Sequence, residues 1–97
     1  MPAAYLIADV SITDAAKMAL YREWSTKAIQ EHGAEVLVRG GTIETLEGDW
    51  QPQRMVLLRF ADMDTARRFY NSETYVHARS LREGAGVLHM VIVEGMA

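Results

Sequence analysis

The chain has no cysteine, which excludes disulfides and thiolate chemistry and suits a reducing compartment. No apolar run approaches the ~18 residues of a spanning helix, and the first residues lack the charged-then-apolar pattern of a secretory leader. No block of like charge exists. The net charge is −3, and the positive charge is mostly scattered arginine, so no nucleic-acid footprint shows. Internal repeats and low-complexity tracts are absent. So are the GxGxxG and P-loop spacings, and the three histidines are too far apart for an HExxH-like motif. Together these absences predict a cytoplasmic protein without metal or cofactor that engages neither membrane nor nucleic acid.

What is present is an ordinary globular balance. With 97 residues and a hydrophobic fraction of 49%, the chain supports one core and one domain over residues 1–97. The stretch from His32 to Phe60 organises it, and reads as one long bent β-hairpin. Glu35 to Arg39 is a strand rich in branched residues. Gly40-Gly41 interrupts it, as paired glycines do at a bulge, a bend or a close backbone approach. Thr42 to Glu47 alternates again, Gly48 to Gln53 is the turn, and Arg54 to Phe60 returns as a strand. Trp50 is an indole on a polar turn, where it folds over the sheet edge or a partner subunit.

Before the hairpin, Ala4 to Ile12 alternates as a strand, with Leu6, Ala8, Val10 and Ile12 on one face. Tyr5, Ile7, Asp9 and Ser11 take the other. Thr13-Asp14 then supplies the N-cap of a helix to about His32, stopped by Gly33. Met18, Tyr21, Trp24, Ala28 and His32 gather on its inner side, with Arg22 and Glu23 outside. After the hairpin, Asp62 caps a helix over Met63 to Tyr70, and Ser72 caps a shorter one to about Glu83. Val87 to Glu94 is the last strand. The order is ferredoxin-like, β-α-β-β-α-β, an α+β sandwich with both helices on one sheet face. The other face stays apolar, which predicts a homodimer with two sheets face to face in a shared α+β barrel.

Four polar residues interrupt the strands: Asp9, Arg39, Arg59 and His89. If they share a face, they form an anion-binding or acid–base cluster, or a structural ion-pair network. His32 stands at a helix end, either as a general base lining a cleft or as a partner for the helix dipole. Arg39-Gly40-Gly41 offers backbone N–H groups and a guanidinium to a carboxylate or phosphate. Tyr75, Arg79 and Arg82 share a helix face that either clamps an anion or packs its tyrosine and lets the arginines snorkel. His77 reads as surface.

Several of these motifs carry a resemblance. YLIADV at Tyr5, HG at His32, VRGG at Val38, LEGDW at Leu46, Arg54 and FYNSETY from Phe69 to Tyr75 resemble the domain of unknown function 1330 family. That family lies within the dimeric α+β barrel superfamily. One departure is Ala61, where the family pattern has proline. The resemblance implies the homodimer and marks His32, Arg39, Gly40, Gly41, Glu47, Trp50, Arg54, Tyr70 and Tyr75 as its motif residues, without implying an activity. The expected function is binding of a small anionic metabolite, or a structural dimer role. The alternatives are a cofactor-independent monooxygenase- or isomerase-like enzyme and a haem-handling protein. In the enzyme, His32 is the base, Arg39 and Arg54 hold the anion, and Trp50 and Tyr70 form walls. In the haem protein, His32 or His89 is the axial ligand.

Overall fold

A computed structural model of the chain describes residues 2–96. Strand β1 (Ala4–Ile12) leads to helix α1 (Ala15–Glu31), then β2 (Glu35–Arg39) and β3 (Met55–Phe60). Helices α2 (Met63–Asn71) and α3 (Glu73–Leu81) precede β4 (Gly86–Glu94). The four strands form one antiparallel sheet in the order β2-β3-β1-β4, the ferredoxin-like arrangement.

The helix starts are set by short polar side chains, which satisfy amide groups that have no partner within the helix. Asp14 accepts from the Lys17 amide at 3.1 Å, Asp62 from Thr65 at 2.7 Å and Ser72 from Tyr75 at 3.2 Å. Gly33, at φ +62°, turns the chain out of α1.

The helices cover one face of the sheet. Beneath them lie Leu6, Ala8 and Val10 of β1, with Leu58 and Phe60 of β3, all buried. Phe69 sits at the centre, with ring centroids 5.1 Å from Phe60 and 4.5 Å from Tyr75. Each such buried valine, leucine or phenylalanine side chain contributes about 1.5–3 kcal/mol. Trp24 lies at the edge of this layer, half-buried between α1 and α3, edge-on to the exposed His77 at 4.4 Å.

The open face has the alternate residues. Tyr5, Ile7 and Asp9 of β1 stand beside Arg59, Leu57 and Met55 of β3 and beside Val93, Val91 and His89 of β4. Val87, Val91 and Val93 are exposed there.

Two features depart from the expected hairpin. The strand pattern at Thr42 to Glu47 is not a strand, because Gly40 and Gly41 both adopt positive φ (+79° and +94°) and end β2. Residues 40–54 form a long loop instead. The second departure is a β-bulge: Val36 pairs with Leu58 but Val38 pairs with Leu57, leaving Leu37 as an extra residue. One extra residue reverses the facing of everything after it. Arg39 therefore stands opposite Val56, on the helix-covered side, while Glu35 pairs across from Arg59 on the open side.

The four strand polar residues consequently do not form one cluster. Asp9 and His89 are cross-strand neighbours on the open face. Arg59 lies farther along that face and meets Glu35 at 3.6 Å, an exposed ion pair of small energetic weight. Arg39 is on the other side of the sheet.

Candidate functional site

Between the sheet and the helices lies a cavity of about 60 Å³. Its walls are apolar, built from Ala8, Val56, Leu58, Leu88 and Met90 of the sheet and Ile29 and Phe69 of the helices. Besides Ser25, whose hydroxyl donates to the Arg22 carbonyl at 3.2 Å, polar groups enter it in two places.

The first is a trio of arginines: Arg39 at the end of β2, Arg54 just before β3, and Arg22 on α1. The bulge at Leu37 aims Arg39 here. Gly40 makes room for Arg54, whose guanidinium lies where a side chain would otherwise be: a Cβ on Gly40 would meet Nη1 at 3.0 Å. Arg39 donates to the Thr26 hydroxyl at 3.4 Å. Its guanidinium is shifted below its ordinary value, first by burial and then by the charges of Arg22 and Arg54. Among the described residues no carboxylate forms an ion pair with any of the three. Uncompensated cations gathered at the mouth of an apolar cavity favour an incoming anion.

The second is a pair of tyrosines. The hydroxyl oxygens of Tyr21 and Tyr75 are 2.6 Å apart, and the Tyr75 hydroxyl also faces the Met90 sulfur at 3.9 Å. Burial, reinforced by Tyr21, pushes the Tyr75 hydroxyl well above the usual phenol range, so it stays protonated at neutral pH. Behind the pair, Arg82 lies 4.9 Å from the centre of the Tyr21 ring.

Of the residues marked in the sequence, Arg39, Arg54 and Tyr75 line this cavity and Gly40 supports it. The others lie elsewhere. His32 closes α1, its Nδ1 2.8 Å from the Ala28 carbonyl and its ring edge-on to Phe69 at 5.9 Å, outside the cavity lining. A carbonyl only accepts, so Nδ1 carries the hydrogen. Trp50 is on the opposite side of the sheet, where its Nε1 donates to Asp9 at 3.2 Å. Tyr70 lies under the Arg79 guanidinium, 4.1 Å from its ring centre, in cation–π contact. Gly41 and Glu47 are exposed on the 40–54 loop.

Sequence reasoning did not find Arg22 or Tyr21 as site residues. Helical spacing puts Arg22 on the outer side of α1, and its length brings it back over the cavity mouth. Tyr21 reads as core, and only the position of α3 reveals its hydroxyl partner.

The fold and this internal cavity define a ferredoxin-like α+β domain. More specifically, the chain belongs to the family described as Domain of unknown function (DUF1330), whose model matches residues 3–96. No curated protein matches it. Among solved structures it is similar to a Rhodopseudomonas palustris protein of unknown function, at 15% identity and a TM-score of 0.78 over 99% of this chain and 84% of the other. It is also similar to SnoaB, a cofactor-independent oxygenase from Streptomyces nogalater, at 9% identity and a TM-score of 0.66 over 100% and 96%. A Caulobacter crescentus protein provisionally named an antibiotic biosynthesis monooxygenase aligns at 13% identity and a TM-score of 0.63 over 99% and 92%. At these identities the likeness is one of fold. No helix among the described residues is long and apolar enough to cross a membrane.

Proposed function

We propose that this protein is a cytoplasmic homodimer that binds a small carboxylate in the cavity between its sheet and helices. The observation that carries the reading is the trio Arg22, Arg39 and Arg54, gathered at the cavity mouth without an acidic partner among the described residues. A structural role alone gives no reason to hold three like charges together, since each raises the cost of the others. Gly40 belongs to the site as the backbone on which Arg54 rests, and Tyr75 as part of the cavity wall.

The dimer reading rests on the open sheet face. Val87 at 57% exposure, Val91 at 59% and Val93 at 48% line one strand, and Leu37 and Val38 extend the apolar surface at the other edge. A patch of this kind on a small domain is covered by a partner, and a second copy offers the same surface in two-fold register.

The enzymatic alternative draws on likeness to SnoaB in fold, and its base has no comparable support. His32 lies apart from the arginines and is held by the Ala28 carbonyl.

Calorimetric titration with butanoate at low ionic strength tests the binding reading. Binding that weakens at least tenfold in Arg39→Gln and in Arg54→Gln, with melting temperatures preserved, is the expected result. Absence of binding, or binding indifferent to both arginines, overturns it. Native mass spectrometry tests the dimer, which should run at twice the chain mass of 10.9 kDa.

A further inference from the structure

The carboxylate reading accounts for one polar end of the cavity and leaves the other unexplained. Two phenols carry two hydroxyl hydrogens. One lies between the Tyr21 and Tyr75 oxygens, 2.6 Å apart. The second, when Tyr75 holds it, meets only the Met90 sulfur at 3.9 Å, a weak acceptor. A hydroxyl donor in an apolar cavity without a good acceptor is costly, and a ligand oxygen placed there removes that cost.

The two ends lie across the sheet from each other. Arg39 and Arg54 sit on the β2–β3 side, whereas Met90, beside the hydroxyl pair, belongs to β4. Strands β3 and β4 flank β1, so about 10 Å of sheet separates Arg54 from Met90 and about 14 Å separates Arg39 from it, and the arginine side chains reach inward over part of that span. The cavity between has a volume of about 60 Å³. An apolar cavity of about 150 Å³ takes benzene, so this one takes roughly two or three non-hydrogen atoms beyond a carboxylate and its first carbon left in the mouth. That size excludes multi-ring ligands from the enclosed part.

Resting on the carboxylate reading, we infer that the ligand is a short oxo-carboxylate, with its carboxylate on Arg39 and Arg54 and a ketone or aldehyde oxygen accepting a hydrogen bond from the Tyr21–Tyr75 hydroxyl pair. The distance between the two ends favours a carbonyl separated from the carboxylate over one directly adjacent to it. Burial keeps Tyr75 protonated, so the pair acts as donor. A site built to donate to an oxygen discriminates against the analogue lacking it, because the donor is then left unpaired.

The test is a calorimetric titration of the unmodified protein with freshly prepared 3-oxobutanoate, 3-hydroxybutanoate and butanoate at low ionic strength. The same series is run on Arg39→Gln and on the double variant Tyr21→Phe/Tyr75→Phe. The double variant removes both partners of one hydrogen bond while keeping both rings, a change that is often nearly neutral for stability. The expected result is that 3-oxobutanoate binds the unmodified protein at least tenfold tighter than butanoate. In the double variant the two bind within about twofold of each other. Equal affinities in the unmodified protein, or tighter binding of 3-hydroxybutanoate, overturn the inference. If Arg39→Gln still weakens every acid in that case, the carboxylate reading stands without it. Failure of all three acids to bind at millimolar concentration overturns both. The comparison on the unmodified protein decides the matter even if the double variant does not fold.

Discussion

Gly40 lies against the guanidinium of Arg54, so closely that a Cβ on Gly40 would stand 3.0 Å from Nη1. The residue also has φ +79°, where side chains other than glycine are strained. Gly40→Ala should therefore cost about 1–2 kcal/mol of stability and displace Arg54 from the cavity mouth. Gly41 provides the control. It has φ +94° but nothing within 4 Å of its missing Cβ, so Gly41→Ala adds backbone strain alone. Denaturant melts and butanoate titrations on both variants check this: similar losses of stability, with affinity reduced threefold or more only in Gly40→Ala. Equal affinities would remove Arg54 from the site.

Tyr75 predicts an alkaline limit to stability. Its ordinary value is 10.0, and burial raises it far above that in the folded chain. Above pH 10 the unfolded chain has lost this proton while the folded chain keeps it. The unfolded state then binds fewer protons, and stability falls with rising pH by up to about 1.4 kcal/mol per unit. Below the unfolded value the contribution is fully present. Urea midpoints measured from about pH 8 to about pH 11 should decline more steeply in the unmodified protein than in Tyr75→Phe, which has no proton to lose. Parallel declines would show that the tyrosine ionises without unfolding the chain.

The fold was readable because its signals are local and agree with one another. Asp14, Asp62 and Ser72 announce the three helix starts, and strict alternation in β1 and β4 separates the covered face from the open one. The site was less readable, and Leu37 is the main reason. Continued alternation from Glu35 places Arg39 beside Arg59 on the open face. The bulge, visible only in pairing with β3, carries Arg39 to the cavity instead. The tyrosine pair was hidden for a similar reason, since its members are 54 positions apart and meet only because α3 packs along α1. Thr42 to Glu47 alternates like a strand, but two consecutive glycines at positive φ take it off the sheet edge.

Trp50 and Asp9 explain where that loop goes. The indole Nε1 donates to Asp9 at 3.2 Å, and the Thr45 hydroxyl donates to the Trp50 carbonyl at 3.0 Å, holding residues 40–54 to the open face. The second Asp9 oxygen is buried without a partner among the described residues. Trp50→Phe keeps an aromatic ring and removes the hydrogen bond, and should cost about 1 kcal/mol. Limited proteolysis should then cut within residues 40–54 several times faster, with the rest of the domain resistant. Unchanged cleavage would mean that something other than Asp9 secures the loop.

Val91 distinguishes the two fates of the open face. It sits near the middle of β4, across from Ile7, and is 59% exposed in the single chain. On a free surface Val91→Lys is a mild change, within about 0.5 kcal/mol. In a sheet-to-sheet dimer the two-fold axis brings both copies of the position into one buried layer. Each lysine then loses its hydration within an apolar layer, at a cost of several kcal/mol. Native mass spectrometry at micromolar concentration should show the unmodified protein at twice the chain mass and Val91→Lys at the chain mass of 10.9 kDa, with its circular dichroism retained. Because the cavity opens on the other side of the sheet, the monomeric variant should still bind butanoate within about threefold of the unmodified protein. A variant that stays dimeric would assign the interface to another surface and leave the valine face without its partner.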